Sequence, residues 1–360
     1  MSAAPYVGEN AADDLLGKEL DGWKVVEKVG RIASDTGGYF SITYRVERDG
    51  RSGYCKVLNY YWILQVSQGD PLEALSEAVN VYQFERDLAR QCRSLSRVIT
   101  SIDDGSIRVP GYRQDLVSYI IFEVAECDVR RLLNTYQDIQ VAVKLRLIHH
   151  LAVALRQLHG QGIAHQDVKP SNLLVFPADM KAEPASRERS AKVGDLGRAT
   201  SRSRSMPHDD LKVAGALAYA PVEALYGQAF ADFGPRRLAC DLYQLGSMIY
   251  YLFTTTSLNA RLQMELHPAH SWLNWTGTYE EVLPYVRDAL SRSFDALRAE
   301  IDLPIAEEIV RLVAQLCEPE VSRRGHRVDV SRSGNSYSLQ RVITELDRLA
   351  TRASVLAGSK

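Results

Sequence analysis

Three short stretches near the start of the chain are rich in β-branched and aromatic residues: WKVVEKVG from Trp23, YFSITYRVE from Tyr39 and GYCKVLNY from Gly53. Gly, Asp and Ser separate them. Such runs between turn-forming residues suit half-buried strands, and they predict three antiparallel strands. At Pro71 the pattern changes. In PLEALSEAVNVYQFERDLARQC, Leu75, Val79, Tyr82 and Leu88 fall near helical spacing, which predicts one long helix after the sheet. RVIT and VSYIIFEVA then read as two more strands, with the polar DDG at Asp103 to Gly105 as the turn between them.

From RRLLNTY onward the signal is mostly helical. KLRLIHHLAVALRQLHGQG carries a long apolar face and ends in a glycine stop, and the tail after Ser336 has a helical period. LLVF and AKVG look like two strands bracketing a polar surface excursion, ADMKAEPASRER. LYQLGSMIYYLF, from Leu242, is too short to span a bilayer and is expected to be a buried helix. The pattern therefore predicts an α+β chain, a small mainly antiparallel sheet with one long helix followed by a mostly α-helical part.

At 360 residues and 46% hydrophobic, the chain is long enough for two lobes, each with its own core. A formal net charge of −2, from 43 basic and 45 acidic side chains, leaves no global field to hold nucleic acid or an anionic membrane. Any anionic ligand must be held by local groups. Five cysteines (Cys55, Cys92, Cys127, Cys240, Cys317) are spread singly, which fits a reduced, cytoplasmic protein better than a disulfide framework or a zinc site. The first residues, MSAAPYVGENAADDLL, are acidic with no apolar core, so no signal peptide is expected.

The candidate chemistry lies in HQDVKPSNLL, from His165. Asp167, Asn172 and Asp195 recur at the ends of predicted short strands, where loops expose side chains. Phosphoryl transfer needs metal ions to neutralise charge, a lysine on the phosphates and a carboxylate to orient the attacking hydroxyl. The chain holds all of these in order.

HQDVKPSN resembles the H-R-D-x-x-x-x-N catalytic loop, and Gly194 to Gly197 (GDLG) is similar to the D-F-G element, of the protein kinase superfamily in its bacterial serine/threonine form. The resemblance covers roughly residues 20 to 350. It implies a bilobal kinase-like fold with ATP and Mg2+ in the cleft and a protein serine or threonine hydroxyl as acceptor, the chain itself included. Asp167 would orient the substrate hydroxyl, Lys169 would touch the transferred phosphate, and Asn172 with Asp195 would hold Mg2+. Lys56 would grip the α and β phosphates, with Glu85 as its helix partner and Glu77 the weaker candidate. The backbone of Glu123 to Glu126 would meet adenine, Ala125 included, with Leu174 below the ring. Glu223, ending GALAYAPVE, would pair with Arg323 or Arg324, and Asp241 would brace the catalytic loop. The implied division is 1–20 N-terminal extension, 21–122 N-lobe, 123–128 hinge, 129–350 C-lobe with its activation segment at 195–223, and 351–360 tail.

Several positions depart from the family pattern. The glycine loop has its best register at TGGYFSIT, where Gly38 keeps the central glycine, Thr36 and Ser41 replace its neighbours, and Ser41 gains a hydroxyl. Tyr54 stands where a small alanine leaves room for adenine. Gln166 replaces the arginine that meets a loop phosphate in many members, so activity is not expected to depend strictly on phosphorylation of Ser201, Ser203 or Ser205. Ala216 replaces a threonine that braces the catalytic aspartate, which removes one expected hydrogen bond. Two other readings stand beside the kinase: a pseudokinase module, favoured by Tyr54, Thr36 and Ala216, and a small-molecule phosphotransferase, opposed by Lys169 and YAPVE. His149 and His150 diverge by about 100° on a helix and are expected to be core or surface residues. His165 is expected to orient the loop, and the Tyr60–Tyr61–Trp62 cluster to pack against the long helix.

Overall fold

The computed structural model describes residues 6–30, 41–66, 69–136, 138–177, 189–331 and 335–358. Thr36, Gly38 and most of the 178–189 excursion lie outside the described residues. The chain forms two compact units, residues 1–94 with 98–125 and residues 95–97 with 126–360.

In the first unit the strands are β1 (Gly8–Asn10), β2 (Glu19–Leu20), β3 (Trp23–Lys28), β4 (Ser41–Arg48), β5 (Arg51–Leu58), β6 (Ser101–Arg108), β7 (Tyr112–Gln114) and β8 (Leu116–Phe122). A six-stranded antiparallel sheet runs in the order β2-β3-β4-β5-β8-β6, and β1 pairs β7 in parallel. Period-two alternation sends Trp23, Val25, Tyr44, Val46, Cys55, Val57, Tyr119 and Ile121 into one core, and this leaves Lys56 on the opposite face of β5. Residues 8–20, expected as an extension, pack into this core through Ala11, Ala12 and Leu15, and the Tyr44 hydroxyl donates to the Ala12 carbonyl at 2.7 Å.

Two helices follow β5, α1 (Tyr60–Val66) and α2 (Pro71–Gln91). The carboxylate of Asp70 caps α2 by accepting from the Leu72 N–H at 2.8 Å, with Pro71 at the first helical position. Only the second half of α2 is buried, at Tyr82, Phe84, Glu85, Leu88 and Ala89; Leu75 and Val79 are half-exposed. The Tyr60 hydroxyl meets Ser118 Oγ at 2.7 Å, while Trp62 remains partly exposed.

The expectations for residues 97–105 fail. Asp103 to Gly105 is not a turn but the middle of β6, and Arg97–Thr100 stays outside the strands; the reversal comes at Pro110–Gly111, where Gly111 has φ +94°. The acidic pair tolerates a strand because each carboxylate finds cations. Asp103 accepts from Trp23 Nε1 and Arg48, both at 3.0 Å, and Asp104 pairs with Arg90 and Arg93. Gly105 sits opposite Tyr119, where an added Cβ would come within 2.6 Å of the phenol oxygen.

The second unit contains β9 (Cys127–Asp128), α3 (Val129–Thr135), α4 (Val141–Gly160), β10 (Ile163–Ala164), β11 (Leu173–Pro177), β12 (Arg189–Val193), β13 (Thr200–Ser201), α5 (Val222–Leu225), α6 (Ala239–Thr254), α7 (Leu258–Glu265), α8 (Tyr279–Ala299), α9 (Ala306–Leu316), α10 (Arg327–Ser331) and α11 (Gln340–Gly358). The apolar LYQLGSMIYYLF segment lies within α6 and is buried from Asp241 to Phe253. Gly246 lets α9 approach, since a Cβ there would stand 2.4 Å from Cys317 Sγ. The last helix runs through residues 340 to 358 as one element, past position 350. Among the described residues no helix is long and apolar enough to cross a membrane.

His150, on the buried face of α4, accepts the Ala191 N–H at Nδ1 (3.2 Å) and serves the core as expected. Burial, helped by nearby Arg97 and His149, pushes its pKa down from 6.5 to about 3. The unfolded chain therefore takes up a proton below pH 6.5 that the folded chain refuses, so stability is full above that pH and falls as pH drops towards 3. Between pH 7 and pH 5 this one histidine should cost about 2 kcal/mol. Urea unfolding of His150→Asn at both pH values should show an acid loss smaller by about that amount; identical losses in variant and wild type would exclude His150 as the source.

Candidate active site

Each unit holds one constellation of the expected residues. In the first, Lys56 projects from the middle of β5, and its Nζ donates to both carboxylate oxygens of Glu85 on α2, at 2.7 and 2.9 Å. Glu85 lies in the buried second half of α2 whereas Glu77 lies in its exposed first half, so position along the helix separates the two candidates. Tyr54, two residues before Lys56 on the same face, is 38% exposed and lies opposite Phe122 in the sheet. Ser41 opens β4 and is buried. After β8 ends at Phe122, Glu123 turns its carboxylate back to accept the Thr100 N–H at 2.8 Å, while its own N–H donates to the Thr100 carbonyl at 3.0 Å. Ala125 follows as the last residue of this unit, half-exposed.

In the second unit the loop from His165 to Asn172 joins β10 to β11. Asp241, wholly buried near the start of α6, accepts the N–H of His165 at Oδ2 and the N–H of Gln166 at Oδ1, both at 2.8 Å. His159 Nε2 lies 2.8 Å from the same carboxylate. Burial opposes ionisation of Asp241, but the His159 hydrogen bond and charge, with the loop N–H groups, outweigh it and hold the carboxyl below its usual range. Three residues on, Gln244 accepts the Val168 N–H and donates to the Gln166 carbonyl, each at 2.9 Å. One helical face thus fixes four backbone groups of the loop, which sustains the left-handed φ of +65° at Gln166.

This frame brings Asp167, Lys169 and Asn172 together. Asp167 Oδ2 accepts from Lys169 Nζ at 2.8 Å and from Asn172 Nδ2 at 3.2 Å, and Asn172 Nδ2 also reaches the Asp167 carbonyl at 2.9 Å. Asp167 Oδ1 accepts the backbone N–H of Ala216 at 2.8 Å. The hydroxyl expected to be missing at Ala216 is absent, and the segment reaches Asp167 through its main chain. His165 accepts the Asp167 N–H at Nδ1 (3.3 Å) and meets the Gly194 carbonyl with Nε2 (3.0 Å), so the ring carries its proton on Nε2 and links the loop to the residue before Asp195. Gly194 in turn donates to the Asn172 carbonyl at 2.9 Å. Asp195, half-buried with φ +57°, is thus tethered beside Asn172.

Leu174 lies half-buried on β11, between the buried Leu173 and Val175. Glu223 pairs with Arg324, not Arg323. The sequence reading missed Gln244 and His159. The first had a signal, since Asp241 and Gln244 stand three apart in DLYQ and share a helix face.

Among the described residues no cluster of three or more His, Cys, Asp or Glu could hold a metal by itself. The oxygens of Asn172 and Asp195 nevertheless fit a hard cation such as Mg2+, which usually keeps waters and substrate phosphates in its shell and takes only one or two protein ligands.

A loop with a buried aspartate, a lysine on its carboxylate and an asparagine five residues on suits phosphoryl transfer. The family model of the protein kinase domain matches residues 84–329, more than half of the chain, and the chain belongs to the protein kinase superfamily. Lys56 lies upstream of the matched residues. The chain is similar to cyclin-dependent kinase B2-1 of Arabidopsis thaliana, 25% identical over 264 residues, 69% of this chain and 71% of that one. A probable serine/threonine-protein kinase of the same plant is 25% identical over 70% of this chain, which spans 30% of its length. One from Clostridium acetobutylicum is 27% identical over 48% of this chain and 23% of its own.

Proposed function

We propose that this chain is a serine/threonine protein kinase of the bacterial form, acting in the cytoplasm with ATP and Mg2+ on protein hydroxyls, its own serines among them. The observation that carries the reading is the Asp167 carboxylate, which receives Lys169 and Asn172 on one oxygen and the Ala216 N–H on the other. So placed, Asp167 orients the attacking hydroxyl and takes its proton while Lys169 meets charge on the transferred group. Lys56, held by Glu85, serves the α and β phosphates, and Gly38 and Ser41 cover them. The backbone of Glu123 and Ala125 meets adenine, and Leu174 lies against its ring. Asn172 and Asp195 hold Mg2+, which when bound neutralises phosphate charge.

Incubating wild type and Asp167→Ala with γ-phosphate-labelled ATP and Mg2+, followed by peptide mapping, tests this. Phosphoserine or phosphothreonine is expected in wild type alone. Nucleotide binding without label in either protein would select the pseudokinase reading, which Tyr54 favours by standing where a small alanine would leave room for adenine. Label passing to a small metabolite but to no polypeptide would select the small-molecule phosphotransferase.

A further inference from the structure

The family arginine is missing at Gln166, yet a guanidinium occupies its neighbourhood from elsewhere in the chain. Arg237 belongs to the π-helical turn Gly234–Leu238 that leads into α6, and it is only 5% exposed. Its Nη1 donates to Gln166 Oε1 at 3.3 Å. Its Nη2 donates to the Asp209 carbonyl at 2.6 Å and lies 3.5 Å from Asp209 Oδ1. Gln166 answers by donating Nε2 to the Arg237 carbonyl at 2.9 Å and to Asp241 Oδ1 at 3.0 Å. Asp209 is fixed from its own side as well. Its carboxylate accepts the Met206 N–H at 2.7 Å, closing the turn Pro207–Asp210, and Arg236 also donates to its carbonyl.

A buried guanidinium is costly unless its donors are met, so this position must serve something that needs it. What it joins is specific: a turn in the 195–223 segment and the side chain next to Asp167. Seven residues after Asp209 the same segment delivers the Ala216 N–H to Asp167 Oδ1. Where many kinases use a phosphate to attract an arginine of the catalytic loop, here an arginine already buried holds an unmodified carbonyl and carboxylate.

We propose that Arg237 is a positioning residue that locks the 195–223 segment onto the catalytic loop without phosphorylation. The proposal rests on the kinase reading for its effect on turnover, but the anchoring can be measured separately. The test compares phosphatase-treated wild type, Arg237→Lys and Arg237→Gln in the full chain. Its readouts are steady-state kinetics, amide hydrogen exchange over residues 198–216, and thermal melting.

Phosphatase-treated wild type should keep its turnover. Arg237→Gln should lose on the order of 10²-fold in kcat, with KM for ATP changed by less than about twofold, because the catalytic residues are displaced while nucleotide contacts are not. Arg237→Lys, which retains one donor for the Asp209 carbonyl, should lose less. Exchange over 198–216 should quicken in Arg237→Gln, with a small change in melting temperature. A variant with wild-type kcat, unchanged exchange over 198–216, or a wild type active only after Ser201, Ser203 or Ser205 is phosphorylated would each overturn the proposal. If wild type transfers no phosphate at all, the kinase reading fails, and the exchange result alone decides whether Arg237 anchors the segment.

Discussion

Gly215→Ala is expected to remove phosphate transfer as severely as loss of the Asp167 carboxylate, on the order of 10²–10⁴-fold in kcat. A Cβ at this position would stand 2.3 Å from the Gln166 carbonyl oxygen, 2.8 Å from Asp167 Oδ1 and 2.9 Å from Asp167 Cα. None of these atoms can yield. Gln166 and its neighbours are held by Asp241 and Gln244, and the Asp167 carboxylate is held by Lys169 and Asn172. The segment carrying residue 215 must therefore retreat and take with it the Ala216 N–H that bonds Asp167 Oδ1. Steady-state kinetics with a melting curve separate this local effect from unfolding. A folded Gly215→Ala protein with kcat within about tenfold of wild type would mean that the Ala216 bond does not govern transfer.

The second large effect falls on stability. Arg324 is fully buried, with both terminal nitrogens on Glu223 at 2.8 and 2.6 Å, Nε donating to the Glu318 carbonyl at 2.9 Å, and the Tyr243 ring 5.2 Å from the guanidinium carbon. Burial disfavours its charge, but the adjacent carboxylate of Glu223 outweighs that and raises the guanidinium above its ordinary value. Glu223→Gln leaves a buried cation without a counter-charge and should cost about 3–5 kcal/mol, out of the 5–15 kcal/mol typical of a folded domain. Replacing both partners by methionine should cost less than the single change, because no charge then stays buried. Urea unfolding of the single and double variants measures the difference. A single variant less than about 1 kcal/mol below wild type would show that water reaches Arg324.

Both predictions turn on contacts of different legibility. That Asp167, Lys169 and Asn172 act together was legible because they lie within six residues of one loop, where chain geometry alone keeps them close. The strands at Trp23, Tyr44 and Cys55 were legible for a similar reason, since β-branched and aromatic runs between turn formers report burial directly. The preference for Glu85 over Glu77 was legible in QFERDL, and burial gives its reason, since only the second half of α2 is buried. Arg324 over Arg323 was not legible, because the two are adjacent at the end of a turn, where side chains point apart. Asp103 and Asp104 misled because two acidic residues before glycine have the composition of a turn; only Trp23 on β3, Arg48 on β4, and Arg90 and Arg93 from α2 onward make that stretch acceptable in β6.

The sequence by itself determined the strands from Trp23 to Leu58, the change from sheet to helix after about residue 125, and the short-range chemistry of HQDVKPSN, because each depends on neighbours within one turn or one strand. Only the tertiary structure decided which backbone groups support that chemistry. Asp241 and Gln244 reach the loop across more than 70 residues, Ala216 brings its N–H to Asp167 across 49, and Arg237 joins Gln166 to Asp209 across 71 and 28. Main-chain donors carry no signature in the side-chain sequence, and the pairing of distant segments is set by how whole helices pack.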